Sequence, residues 1–113
     1  MDDCIFCRIA AGEIPAEKVL ETDLFVAFRD IQPKAAQHIL VIPREHVESL
    51  NDLAAWQEGE GHALLEFIVE VTREVGISET GYRVLTNVGP DAGQEVQHMH
   101  FHVLGGEDLG DFR

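Results

Sequence analysis

The sequence of 113 residues predicts a single α+β domain with about five strands in a mostly antiparallel sheet and one main helix. Two observations lead to this class. Short β-branched, apolar segments flank one long segment whose apolar residues recur at helical spacing. The turns between these segments are short, and no linker, internal repeat or low-complexity stretch divides the chain. We therefore expect residues 1–113 to form one domain.

The strands are predicted from residue type and from the turn residues between them. Two short strands are predicted within residues 19–30, and one each in residues 37–43, 81–88 and 96–104. A turn near residues 21–23 separates the first two, and Pro43 stops the third. Residues 89–95 read as a Gly/Pro loop. Residues 44–50 are less regular, which predicts a loop or a short helical turn.

The main helix is predicted from about residue 51 onward. Its apolar face comprises Trp56, Leu64, Leu65, Ile68, Val71, Thr72 and Val75. Asn51 or Asp52 could cap a first turn. Gly59 and Gly61 weaken the first half by up to about 1 kcal/mol each relative to Ala. Gly76 is a plausible C-terminal stop.

Charge and hydropathy exclude several classes of partner. The chain has 21 acidic and 8 basic residues, a formal charge of −13. Because such a protein repels polyanions, no nucleic-acid partner is expected. No apolar run approaches the roughly 18–20 residues of a membrane span, so no membrane partner is expected. The acidic start of the chain and its two cysteines favour a cytoplasmic location.

Three histidines occupy every second position in "QHMHFHVLGG", residues 97–106. In a strand, His98, His100 and His102 would share one face. His98 and His102 would then lie roughly 13 Å apart at Cα, so two neighbours could share an ion but three could not easily do so. The alternatives are a solvated face, a catalytic His-x-His metal site, and nucleophilic or acid–base catalysis. The pattern favours the last, because a neutral imidazole can attack phosphorus.

The only two cysteines, Cys4 and Cys7, have the spacing of a zinc knuckle. Two thiolates need two further ligands to complete a tetrahedron, and histidines are the candidates. One alternative is a pair of reduced cysteines without metal. A redox pair is less favoured, because that motif normally opens a helix after a strand.

Beyond these spacings, the chain resembles a known family. "HMHFHVL" matches the signature of the histidine triad nucleotide hydrolases and transferases. "CIFCRIAAGEIPAEKVLETDLFVAFRDIQPKAAQHILVIPREHV" and "GYRVLTNVGPDAGQEVQHMHFHVLGG" resemble the two halves of its Hint branch, of the bacterial, zinc-binding type. The resemblance implies a single HIT domain with a HIT-like fold that forms a homodimer, with a sheet continuous across the interface.

The resemblance also implies an activity and a set of roles. The activity is hydrolysis of the P–N bond in purine nucleoside 5′-phosphoramidates, such as those of adenosine, through a histidine–nucleotide intermediate. The nucleotide would be of AMP or GMP type. His100 would be the nucleophile, His102 would hydrogen-bond a phosphate oxygen, and His38 would help with proton handling.

The implied binding residues fall into four groups. Those for phosphate are Asn87 and the backbone of Gly93, Gln94, Glu95 and Val96. Asp30 would accept hydrogen bonds from the ribose hydroxyls. Those for the base are Phe6, Ile9, Phe28 and Ile31. The resemblance assigns a structural zinc to Cys4, Cys7, His46 and His98. No organic cofactor is expected, and His62 matches no motif.

Each of these roles has a simpler alternative. Asp30 could only stabilise a turn, Asn87 could be a loop residue, and His38 could be a core histidine. The four apolar residues could be ordinary core. For the whole chain, the alternative functions are a dinucleoside polyphosphate hydrolase, a zinc-dependent hydrolase, and a nucleotide-sensing binding module.

Overall fold

A computed structural model describes residues 3–112. Its helices are α1 (Ile5–Ala10) and α2 (Glu60–Glu74), with short 3₁₀ helices at Leu50–Ala55 and Pro90–Ala92. Its strands are β1 (Lys18–Glu21), β2 (Phe25–Arg29), β3 (Gln37–Pro43), β4 (Tyr82–Thr86) and β5 (Phe101–Gly105). Within residues 3–112, none of the helices combines the length and the apolar character needed to cross a membrane.

The five strands form one antiparallel sheet in the order β1-β2-β3-β5-β4. This confirms the predicted class, a five-stranded antiparallel sheet with one main helix. The two central strands pair so that Leu40 lies opposite His102 and Ile39 lies opposite Val103. Because side chains alternate along a strand, His38, Leu40 and His102 share one face of the sheet.

The two faces of the sheet carry separate parts of the core. On one face, α2 buries Leu64, Phe67, Ile68 and Val71 against Phe25, Ala27, Ile39, Val41 and Val103. On the other, α1 buries Phe6, Ile9 and Ala10 against Val26, Phe28, Leu40 and Ile42. The triad residue His102 therefore lies on the face that α1 covers.

The main helix starts later than predicted. α2 begins at Glu60 because Gly59 has a left-handed φ of +90°, which breaks the helical path. The caps predicted at residues 51 and 52 are wrong: Ser49 caps the preceding 3₁₀ helix, and its Oγ accepts from Asn51 N at 3.1 Å. The helix ends at Glu74. Gly76 follows with a left-handed φ of +78°, which agrees with its predicted role as the C-terminal stop.

Two further elements differ from the prediction. α1 was not predicted, and the Sγ of Cys4 caps it by accepting from Cys7 N at 3.3 Å. The strand predicted at residues 96–104 begins only at Phe101. His98 and His100 precede it, in a segment attached to the loop after β3 by a hydrogen bond from Met99 N–H to the Val47 carbonyl.

Candidate active site

A cavity of about 710 Å³ opens on the α1 face of the sheet. Of the predicted residues it is lined by Phe6, Ile9, Phe28, Asp30, Ile31, His38, Asn87, Gly93, Glu95, Val96, His100 and His102. Sequence reasoning missed Ile14, Lys34, Leu40, Leu85 and Leu104, which also line it. Strand alternation could have found Leu40, because it follows His38 by two positions.

The backbone fixes the tautomer of His100. Its Nδ1 lies 2.8 Å from the His98 carbonyl oxygen. A carbonyl only accepts, so Nδ1 carries the proton and Nε2 keeps its lone pair. The ring is buried and packs edge-on against Phe6, with centroids 5.1 Å apart. His100 therefore presents an unprotonated nitrogen in a fixed orientation.

A chain of hydrogen bonds fixes the opposite tautomer of His102. The backbone N–H of Lys34 donates to His38 Nδ1 at 3.0 Å, so the proton of His38 lies on Nε2. That Nε2–H donates to His102 Nδ1 at 2.9 Å. His102 consequently carries its own proton on Nε2. The cavity thus has a lone pair on His100 and an N–H donor on His102, with ring centroids 5.2 Å apart.

Burial keeps the imidazoles of His38 and His102 uncharged at neutral pH. It is the main cause that lowers the pKa of His102 to about 4, and the nearby His100 and His38 lower it further. Burial likewise lowers the pKa of His38, against the opposing effect of Asp30. Both rings are therefore neutral at pH 7, as the chain of hydrogen bonds requires.

Asp30 stabilises a turn and also lines the cavity. Its Oδ1 accepts from Gln32 N at 2.8 Å, the turn role considered from the sequence. Its Oδ2 lies 3.4 Å from His38 Nε2. The carboxylate keeps further lone pairs for hydroxyl donors from the cavity.

The predicted phosphate segment offers fewer N–H groups than expected. Gly93 N–H donates to the Pro90 carbonyl and Gln94 N–H to the Gly89 carbonyl, both at 3.1 Å. The side chain of Gln94 also turns into the loop, donating to Glu48 O and Val96 O. Among the described residues, the N–H groups of Glu95 and Val96 and the amide of Asn87 have no protein partner.

The predicted apolar slot divides into buried and exposed parts. Phe6, Ile9 and Phe28 are buried and belong to the α1 core, with the two phenyl rings edge to face at 5.6 Å. Ile31 is 95% exposed at the rim of the cavity. Three of the four therefore serve both as core and as cavity wall.

Cys4, Cys7, His46 and His98 form a separate cluster that could hold a metal ion. Their ligand atoms all lie within 4.8 Å of one another. His98 Nδ1 lies 3.4 and 3.5 Å from the two sulfurs, and His46 Nδ1 lies 3.2 Å from Cys7 Sγ. A tetrahedral zinc site has S–N edges of about 3.6 Å, so the donor set fits that ion.

The hydrogen bonds of His98 and His38 distinguish this cluster from a second one beside it. His98 Nε2–H donates to the Pro43 carbonyl at 2.8 Å, leaving Nδ1 free for a metal. Asp30, His38 and His102 also bring potential ligand atoms within 4.8 Å. His38 could not bind a cation through Nε2 without losing its only proton, because its Nδ1 accepts from an amide. Asp30, His38 and His102 therefore form a hydrogen-bonded relay rather than a metal site.

The thiol of Cys7 is unfavourable as an anion without a cation. Burial and the neighbouring Cys4 thiol raise the pKa of Cys7 to about 11. A dication would reverse that rise, because thiolate is the form that binds metal. The pair opens a helix, as a redox pair does, but among the described residues no strand precedes that helix. Its contact with two histidines is the observation that favours metal.

His62 lies away from both clusters. It is exposed on α2, with Nε2 3.3 Å from Glu66 Oε1 one turn along the helix.

The chain was compared with known proteins. The family model described as "HIT domain" matches residues 11–109. An uncharacterized HIT-like protein of Helicobacter pylori is 46% identical over 103 residues, 91% of this chain and 96% of the relative. The purine nucleoside phosphoramidase of Escherichia coli is 40% identical over 109 residues, 96% of this chain and 92% of that protein.

Solved structures agree with the fold. A histidine triad protein from Clostridium difficile superposes with a TM-score of 0.93 at 43% identity, covering 100% of this chain and 98% of that one. A histidine triad nucleotide-binding protein from Candida albicans gives a TM-score of 0.81 at 37% identity, covering 89% and 73%. Family model, sequence relatives and fold agree, and the chain belongs to the histidine triad (HIT) family.

Proposed function

We propose that the protein is a hydrolase that cleaves the P–N bond of purine nucleoside 5′-phosphoramidates through a covalent histidine–nucleotide intermediate. The observation that carries the proposal is the opposed pair of tautomers. His100 offers a lone pair and His102 an N–H in one cavity, and both are set by hydrogen bonds within the protein. The E. coli relative named as a purine nucleoside phosphoramidase supports the reaction class.

In the first step, His100 Nε2 attacks phosphorus, a P–N bond to the enzyme forms, and the P–N bond of the substrate breaks. The amine leaves with a proton from solvent. His102 Nε2–H donates to a phosphoryl oxygen and stabilises the charge that develops there. Water then attacks the phosphohistidine, releasing the nucleoside monophosphate and restoring neutral His100. His38 holds the proton of His102 on the correct nitrogen throughout.

The remaining cavity walls fit a nucleoside monophosphate. The free N–H groups of Glu95 and Val96 and the amide of Asn87 would donate to phosphate oxygens. Asp30 would accept from the ribose hydroxyls. Gly93 and Gln94 would shape this loop, and the base, of adenine or guanine type, would lie against Phe6, Ile9, Phe28 and Ile31.

We further propose that the four-ligand cluster holds a structural zinc. Four protein ligands complete a tetrahedron, so no position is left for an activated water. This disfavours the zinc-hydrolase alternative. Cys4 caps α1 and Cys7 lies within it, and Phe6 of the same helix contacts both His98 and His100. The cluster would therefore pin the cavity wall against the catalytic segment.

The sheet and helix also support a homodimer. Within residues 3–112, β4 is an edge strand with β5 as its one neighbour, and its Tyr82 and Val84 are exposed. Exposed apolar Leu65 and Val69 lie on α2. An apolar edge strand is a template for pairing with another chain. Light scattering of the protein should give twice the chain mass, and Val84→Asp should reduce it to one.

The reaction is tested by single-turnover hydrolysis of adenosine 5′-phosphoramidate with intact-mass detection. Wild type should gain the mass of AMP transiently, and His100→Ala should show neither the adduct nor turnover. His62→Ala is the matched control, because it removes an exposed histidine outside the cavity. Equal turnover in wild type and His100→Ala would contradict the mechanism. Nucleotide binding without turnover in wild type would favour the binding module, and preferred cleavage of dinucleoside polyphosphates the other hydrolase.

A further inference from the structure

The cavity has more charge than the proposed reaction uses. Its lining includes four formally charged side chains, Arg29, Asp30, Lys34 and Glu95. Arg29 is paired, with Nε 3.0 Å from Glu17 Oε2 and Nη1 donating to Gln37 at 2.6 Å. Asp30 is held by its turn and by His38. Among residues 3–112, no ion pair or side-chain hydrogen bond engages Lys34 or Glu95.

These two unpaired charges lie at opposite ends of β3. Lys34 lies just before the strand, and its backbone N–H bonds to His38 near the strand's start. Glu95 follows Gln94, whose side chain donates to Glu48 O beyond the end of the strand. Both side chains are exposed to solvent while they line the cavity.

The loop that carries Lys34 is held at several points. Its first residue, Asp30, accepts from Gln32 N, and Asp30 N–H donates to the His38 carbonyl at 3.0 Å. Near its end, Ala36 N–H donates to Glu107 Oε2 at 2.5 Å. The backbone of Lys34 is thus fixed before any ligand arrives, which lowers the entropy cost of using its ammonium group.

The phosphate at His100 does not need this lysine. Its oxygens have donors in His102, Asn87 and the N–H groups of Glu95 and Val96. Lys34 is exposed to solvent, and no acidic side chain among residues 3–112 forms an ion pair with it. Lys34 therefore remains available for a second anion.

We propose that Lys34 is a specificity-determining residue that recognises a second anionic group of the substrate, in addition to the phosphate at His100. This inference rests on the proposed function, because it assumes that a nucleotide occupies the cavity. The second anion is a carboxylate or phosphate, carried either by the leaving group or by the ribose.

The test measures nucleotide affinity by calorimetry in a His100→Ala background, where no turnover occurs. The probes are AMP, ADP and adenosine 3′,5′-bisphosphate, which place the second anion nowhere, on the leaving side or on the ribose. We expect ADP or the bisphosphate to bind about three- to tenfold more tightly than AMP at low salt. The favoured probe identifies the source, and the preference should shrink at high salt.

Lys34→Gln should abolish the preference, because it removes the charge and keeps the backbone N–H that orients His38. Lys18→Gln is the matched control: it makes the same charge change outside the cavity and should leave the preference intact. A preference that survives Lys34→Gln, or no preference for either probe, would overturn the inference. Lys34→Gln could abolish the preference while the wild type hydrolyses no phosphoramidate. That result would support the inference and contradict the proposed reaction. Failure of all three probes to bind would overturn both.

Discussion

The protein holds two clusters of polar ligands side by side, and they differ in what the backbone does to the far nitrogen of a histidine. In the cluster of Cys4, Cys7, His46 and His98, a carbonyl accepts from His98 and leaves its inner nitrogen bare. In the cluster of Asp30, His38 and His102, an amide donates to His38 and places a proton on its inner nitrogen. The first arrangement suits a cation, and the second passes a hydrogen bond to His102, for which we propose a catalytic role.

The difference teaches that residue type alone does not assign a histidine. His98 and His100 are two positions apart, and both rings pack edge to face against Phe6. His98 donates through Nε2 and His100 through Nδ1, each to a backbone carbonyl. These opposite choices aim one lone pair at the cysteines and the other into the cavity. The backbone thereby separates the structural role that we propose for His98 from the chemical role that we propose for His100.

The largest expected effect tests whether turnover can be lost while the metal stays bound. His100→Ala should lower turnover about 10⁴-fold or more, because it removes the proposed nucleophile. Its metal content should equal that of wild type. Turnover and zinc per chain, measured on the same sample, check this. Metal loss together with turnover would show that the two clusters act as one.

The reciprocal change is Cys4→Ser. Serine keeps the N-cap of α1 but replaces the thiolate ligand, so the expected loss is metal rather than helix. At free zinc a thousandfold above its Kd, binding stabilises the fold by about 4 kcal/mol, which the variant should forfeit. Metal analysis and thermal unfolding check this. Full stability without bound metal in wild type would refute a structural zinc.

The relay is tested at His38. His38→Leu removes the N–H that sets the tautomer of His102 and should lower kcat about 10²-fold. His38→Gln offers an amide N–H near the lost Nε2 and should recover about tenfold of that loss. The measurement is kcat for the adenosine phosphoramidate in both variants. Equal losses in the two would mean that His38 only fills space.

The smallest effect is on the pH dependence of stability. The folded protein holds the pKa of His102 near 4, against 6.5 for an unperturbed histidine. The unfolded chain therefore binds more protons between these values, so the stability present above pH 6.5 falls progressively towards pH 4. Urea unfolding from pH 4 to 7 should show a shallower slope in His102→Asn and no change in His62→Asn. An unchanged slope in His102→Asn would contradict the burial of a neutral ring.

Much of the fold could be predicted because strands and turns are encoded locally. β2, β3 and β4 lie within their predicted ranges, and Gly76 ends α2. The predicted start of α2 was wrong because the left-handed φ of Gly59 interrupts the helix, although the apolar pattern continues across this residue. α1 was missed because six residues show too little periodicity, and its cap is a cysteine.

The site was predictable in membership but not in geometry. The triad and the Cys-x2-Cys spacing point to the residues that the fold brings together. Neither reveals that His98 and His100 precede β5. Neither reveals that the backbone N–H groups of Gly93 and Gln94 donate to carbonyls within their own loop. Lys34 was missed because the sequence does not show that the turn between β2 and β3 brings its backbone N–H and its ammonium group to the site. These contacts depend on tertiary structure.

The most direct test of the division between the clusters is to read the histidine tautomers by ¹⁵N NMR of the zinc-loaded protein at pH 7. The hydrogen bonds predict a proton on Nδ1 of His100 and on Nε2 of His38, His98 and His102. Nδ1 of His98, which faces the cysteines, should stay unprotonated when nucleotide is removed. A proton on Nε2 of His100, or on Nδ1 of His38, would contradict the account.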